Sequence, residues 1–87
     1  MVFLTQPVIE EFVSAEYRYE AHADFNESGG VCYRLLRGPS WLSVDPDSGV
    51  VTGTAEKEGE FAVIIEAYDD AGETARQAYR LYVLAVL

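Results

Sequence analysis

The sequence is poor in cysteine, histidine, lysine and long apolar runs, and each shortage closes a class of function. A single cysteine, Cys32, cannot form an intramolecular disulfide, so packing alone has to hold the fold, with the thiol read as a small buried hydrophobe. One histidine, His22, and no second cysteine leave no zinc site of the usual Cys/His kind. Lys and Arg number 6 against 15 Asp and Glu, a net charge of -9. That balance excludes nucleic acid, whose phosphates need cations to displace their counterions, and it disfavours anionic membrane surfaces. The closing stretch Leu81–Leu87 is apolar but far too short to span a bilayer, and Met1–Leu4 is too short for the apolar region of a signal peptide. No Gly-x-Ser-x-Gly elbow is present, and Gly29-Gly30 alone does not make a phosphate loop.

What remains is an 87-residue chain that is 49% hydrophobic, enough for one domain and too little for two. Residues 1–87 are expected to be one unit. Both ends read as strand text without a polar tail, as if cut from a longer chain, which makes neighbouring domains its first expected partners.

The apolar spacing is two almost throughout, the period of half-buried strands. From Gly59 to Asp69, Phe61, Val63, Ile65 and Ala67 fall on one face, with Ala62, Ile64, Glu66 and Tyr68 on the other. Tyr17, Tyr19, Ala21 and Ala23 alternate with Arg18, Glu20, His22 and Asp24. Tyr33 and Leu35 point inward from a short strand after a loop at 26–30. The Asp45-Pro-Asp-Ser-Gly49 turn joins two further strands, and Asp69-Asp-Ala-Gly72 joins the last two as a hairpin. The first strand lies somewhere between Val2 and Val13. Six or seven short strands without a helix predict an all-β sandwich.

One stretch is specific. Pro39-x-Trp41-Leu42 is followed by Ser48-Gly49-Val50-Val51-Thr52-Gly53-Thr54 and then by Gly59-x-Phe61-x-Val63. Trp41 and Leu42 suit the space between sheets, and Gly53 suits a close backbone approach. In this order the pieces resemble the dystroglycan-type cadherin-like domains, also described as immunoglobulin-like domains of bacterial and archaeal surface proteins. The resemblance extends from about Pro7 to Val86. It implies an Ig-like or cadherin-like Greek-key sandwich of about seven strands, found in extracellular or cell-surface proteins as spacers or adhesive units and not as catalysts. It also implies calcium as the one cofactor to consider, with Glu11, Asp24, Asn26, Asp69 and Asp70 as ligands. The same Asp residues equally suit turns, where they bind their own backbone.

Sugar binding needs exposed rings, and Tyr68 and Tyr82 fall on faces read as outward. The first expectation is therefore a non-catalytic structural or adhesion module. The alternatives are a carbohydrate-binding or self-associating module and an accessory domain of a secreted hydrolase, with other surface proteins or polysaccharide as partners.

Overall fold

The computed structural model describes residues 2–24 and 30–85. Seven strands follow in order: β1 (Glu10–Phe12), β2 (Glu16–Glu20), β3 (Cys32–Arg37), β4 (Leu42–Val44), β5 (Val50–Thr54), β6 (Gly59–Tyr68) and β7 (Thr74–Leu84). They make two sheets, one of four strands in the order β1-β7-β6-β3 and one of three in the order β2-β5-β4. Neighbours are antiparallel except β1 and β7, which run parallel with Glu10 opposite Tyr82 and Phe12 opposite Leu84. The all-β sandwich read from the sequence is the fold, and its Cα trace fills 48 × 17 × 17 Å.

The alternation decides the layering. Val63 and Ile65 of β6 and Leu81 and Val83 of β7 are buried against Tyr17 and Tyr19 of β2, Leu42 of β4 and Val51 of β5, while Tyr33 of β3 and Ala67 of β6 are buried with Ala23 in a second, smaller cluster. Burying one such large apolar side chain is worth about 1.5–3 kcal/mol. Trp41 is half-buried and meets the edge of Phe61, with ring centroids 5.7 Å apart. Gly53, opposite Leu42 in the register, has no room for a Cβ because the Trp41 carbonyl occupies that space.

The turn between β4 and β5 is built by Asp45, whose Oδ1 accepts from the amides of Asp47 (2.8 Å) and Ser48 (3.0 Å). These bonds hold its carboxyl below the usual carboxylate range. Gly49 closes the turn with φ 79°, packed between the Ala21 carbonyl and the Tyr33 ring.

The first strand is two pieces on two sheets. Phe3 bridges Ala23 beyond the end of β2, and the chain then crosses to lie beside β7 as β1. Core tyrosines fix this crossing. The Tyr17 hydroxyl donates to the Val8 carbonyl (2.6 Å) and shares a 2.9 Å bond with Tyr79. Tyr19 donates to Gln77 Oε1 (2.7 Å) and shares a 2.6 Å bond with Thr5 Oγ1, while Gln77 Nε2 donates to the Thr5 carbonyl (2.8 Å). Burial holds the Tyr17 hydroxyl well above the usual phenol range, helped by Tyr79, and pushes Tyr79 up to about 12. Ser14, just after β1, sits at φ 71°, a left-handed conformation unusual outside glycine. Cys32 is half-buried on the outer side of β3 rather than in the core, because Tyr33 takes the inward position.

Candidate functional site

The outward face of the four-stranded sheet carries an array of charged side chains together with exposed apolar ones, Leu36, Tyr82, Leu84 and Phe12. Residues directly opposite in the register share a face, so this array can be read in lines across β3, β6 and β7. One line is Arg34, Glu66 and Arg76. The next is Arg37, Ile64 and Ala78, followed by Ala62 with Arg80, and then by Glu60 with Tyr82 and Glu10 of β1.

Glu66 is the buried charged residue among the described residues, 3% exposed although it faces outward. Arg34 binds its Oε1 through Nε (2.7 Å) and Nη2, and Arg76 Nε binds Oε2 (2.9 Å). The hydrogen bonds from Arg76 and Arg34 hold its carboxyl below the usual range. The Arg34 guanidinium also lies 4.5 Å from the centroid of the Tyr68 ring. Farther along, Arg80 Nη1 pairs with Glu60 Oε1 at 2.8 Å. Arg37 has no ion-pair partner among the described residues.

Between these arginines the floor is apolar and low. Ala62, Ile64 and Ala78, with Arg80 at the side, line an open hollow of about 330 Å³. A bulge between Leu35 and Arg37 throws Leu36 out to 43% exposure, and Tyr82, Leu84 and Phe12 are exposed farther toward β1. Sequence periodicity had put Ile64 and Glu66 outward, but nothing in spacing alone told which arginines would flank them. The signal was the register: Glu66 interrupts the apolar run from Phe61 to Ala67 of β6, and two arginines lie opposite it.

Tyr68 and Tyr82 do point outward, as the alternation requires, but at opposite ends of this face. Tyr68 stands eight residues along β6 from the partner of Tyr82, about 27 Å at the usual rise. They do not form one platform, and Arg34 lies over the Tyr68 ring.

The acidic residues are divided in the same way. Glu11 lies opposite Val83 at the end where β7 finishes. Asp24 and the Asp69-Asp70 turn are at the other end, where β6 finishes, and Asn26 lies outside the described residues. Asp24 Oδ1 accepts from the Val2 amide (2.7 Å), which ties down the N-terminal segment. Asp69 Oδ1 accepts from the amides of Ala71 (3.0 Å) and Glu73 (2.9 Å), the bonds of an Asx-type turn. Among the described residues no three His, Cys, Asp or Glu side chains gather closely enough to hold a metal ion. His22 is exposed, and its backbone amide donates to Thr5 Oγ1.

Other hollows are open as well. One of about 590 Å³ at the Glu11 end is lined by Val13, Ser14, Lys57, Glu58 and Ala85, and one of about 440 Å³ lies over the three-stranded sheet near Arg18 and Thr52. The first gathers Ser14, Lys57 and Glu58 at its rim, and the second Ser43, Asp45 and Ser48. The face of β3, β6 and β7 offers instead fixed guanidinium donors around an apolar floor, which is the chemistry of recognition.

Comparison with known proteins agrees with this architecture. Residues 4–84 match the profile of the family described as Putative Ig domain. Among solved structures, a putative alpha-galactosidase/melibiase of Bacteroides fragilis NCTC 9343 superposes over 87% of this chain with a TM-score of 0.71 at 14% identity. A putative alpha-galactosidase of the same organism covers 94% with a TM-score of 0.66, also at 14% identity. This chain spans 16% of the length of each, and at that identity the likeness is one of fold.

Proposed function

The chain belongs to the Putative Ig domain family, and from that premise we propose that it is a non-catalytic module of an extracellular or cell-surface protein that docks against and positions neighbouring domains. The observation that carries this reading is the outward face of β3, β6 and β7. Leu36 on one side of it and Tyr82 and Leu84 on the other are exposed at 39–43%, with Ala62, Ile64 and Ala78 as an apolar floor between them and Arg80 at its edge. Soluble domains scatter single apolar residues over their surfaces, whereas a contiguous apolar area rimmed by polar groups marks a contact surface. The family match carries the immunoglobulin-like half of the resemblance seen in the sequence.

A second reading is an accessory domain of a secreted hydrolase. It is favoured by the two Bacteroides fragilis proteins, in which this fold accounts for about a sixth of the chain.

Hydroxyl-radical footprinting tests the docking reading, comparing the isolated domain with the longer protein in which we place it. Leu36, Tyr82 and Leu84 should react less in the longer protein, with Leu4, at the opposite end of the domain from Tyr82, as the reference. Equal reactivity in both would overturn the reading.

A further inference from the structure

The charge on this face runs against that of the whole molecule. Four of the six cationic side chains, Arg34, Arg37, Arg76 and Arg80, lie on it against Glu10, Glu60 and Glu66. The face thus carries one positive charge in excess, and the remainder of the chain carries -10. Glu66 does more than cancel charge. By binding Arg34 and Arg76 at once it holds two long side chains in place before any partner arrives, which lowers the ordering cost of an encounter. Arg76 spends only Nε on Glu66, so both its Nη groups are open to other acceptors among the described residues. Arg37 is not engaged in an ion pair there at all.

At the centre, Ala62 and Ala78 are short, and the hollow over them and Ile64, about 330 Å³ with Arg80 at its edge, has room for one apolar side chain. Arg37, opposite Ile64, and Arg76, two residues before Ala78, lie on the same face nearby. The strands of this face are 3, 6, 10 and 11 residues long; at about 3.4 Å rise and 4.8 Å spacing they present roughly 490 Å², the size of a small, transient contact and below the ~800 Å² that one partner contributes to a standard interface.

We infer that this face takes an acidic protein surface on which an apolar side chain projects between carboxylates. The side chain would enter the hollow over Ala62 and Ala78, and the carboxylates would accept from Arg37, Arg76 and Arg80. The inference rests on the docking reading above and adds the chemistry of the partner. A symmetric contact with a second copy would bring together two faces that each carry an excess positive charge and is disfavoured on that ground. An acidic polysaccharide would satisfy the arginines but not the apolar floor, and the Tyr68 ring it would stack on is covered by Arg34.

The test is a titration of the 15N-labelled domain at low salt with a glutamate–tyrosine copolymer, with poly-glutamate and polygalacturonate at equal carboxylate concentration as comparisons. The amides of Arg37, Ile64, Ala78 and Arg80 should shift first with the copolymer, at concentrations where the two comparisons leave them unmoved. Arg37→Glu should weaken binding by about tenfold or more, while Arg18→Glu, which changes the net charge equally but lies on the other sheet, should change it by less than about twofold.

Equal effects of the two variants, shifts outside the face, or poly-glutamate acting as strongly as the copolymer would each overturn the inference. Polygalacturonate moving the same amides as readily would assign the face to acidic polysaccharide. Concentration-dependent dimerisation that Arg37→Glu strengthens would assign it to a second copy. Footprint protection in the longer protein combined with failure here would leave the docking reading standing and remove only the acidic partner.

Discussion

Three glycines separate two kinds of backbone constraint, and Gly49 carries both. Its φ of 79° costs an L residue about 1–2 kcal/mol. A Cβ there would also stand 2.6 Å from the Ala21 carbonyl oxygen and 3.1 Å from the Tyr33 ring, so the turn must back away from β2 and from the core; such overpacking costs about 1–3 kcal/mol. The stiffer unfolded chain returns about 0.4–1 kcal/mol. Gly49→Ala should therefore destabilise by about 2–4 kcal/mol, a fall in Tm of roughly 10–25 °C for a domain of this size.

Gly72 has φ 86° and nothing within 4 Å, so Gly72→Ala isolates the dihedral cost and should lose only about 0.5–1 kcal/mol. Gly53 has no left-handed φ, but the Trp41 carbonyl occupies the place of its Cβ, so Gly53→Ala isolates the packing cost and should lose about 1–3 kcal/mol. Urea unfolding followed by tryptophan fluorescence measures all three against the native protein. A Gly49→Ala loss no larger than that of Gly72→Ala would refute the packing of the turn on Tyr33 and Ala21.

Other outcomes follow from the polar groups. Glu66 has a lowered pKa, so the stability it supplies is complete above pH 4.5 and is lost as pH falls through the lowered value. Glu66→Gln should be less stable at neutral pH and should lose less on acidification, as read from unfolding curves between about pH 2 and 5. Tyr17 and Tyr79 have raised pKa values, so their contribution is intact below pH 10 and lost as pH rises, through about 12 for Tyr79. Tyr17→Phe strands the Val8 carbonyl and the Tyr79 hydroxyl and should cost about 1–3 kcal/mol in chemical denaturation, with faster amide exchange in β1. Ser14→Gly should relieve the left-handed conformation and raise stability by about 0.5–1 kcal/mol after the added freedom of the unfolded chain is counted; an unchanged Tm would contradict the strain.

Much of the sandwich was legible because period-two alternation is a local property. It put Val63, Ile65 and Ala67 inward and Tyr68 and Tyr82 outward, and the turn residues Asp45, Gly49 and Asp69 marked where strands reverse. The first strand was not legible. Its partner changes between Phe3 and Glu10, and the groups that fix the change are hydroxyls of Tyr17 and Tyr19 reaching it from β2. Ligand positions for calcium came with the family resemblance and not from spacing. Folding places Glu11 at one end and Asp24, Asp69 and Asp70 at the other, a separation that depends on which direction β1 runs along β7. The arginine face was hidden for a similar reason: Arg34, Glu66 and Arg76 are each ordinary in their own strand and become an array only through the register of three strands.

The parallel pairing of β1 with β7 gives the domain a mechanical character. Val2 and Ala85 stand near opposite poles of a 48 Å rod, with the N-terminal segment running the same way as the C-terminal strand. Tension applied through the two termini would pull β1 and β7 past each other along their length. The bonds joining them, from the Tyr82 amide to the Ile9 carbonyl and from the Val13 amide to the Leu84 carbonyl, lie across that pull and would be loaded in shear together, instead of opening one at a time as in a peeled hairpin. The tyrosine hydroxyls that pin Thr5 and Val8 add anchor points along the same seam, so in a stretched array the seam between first and last strands, and not the core, would set the force at which the domain yields.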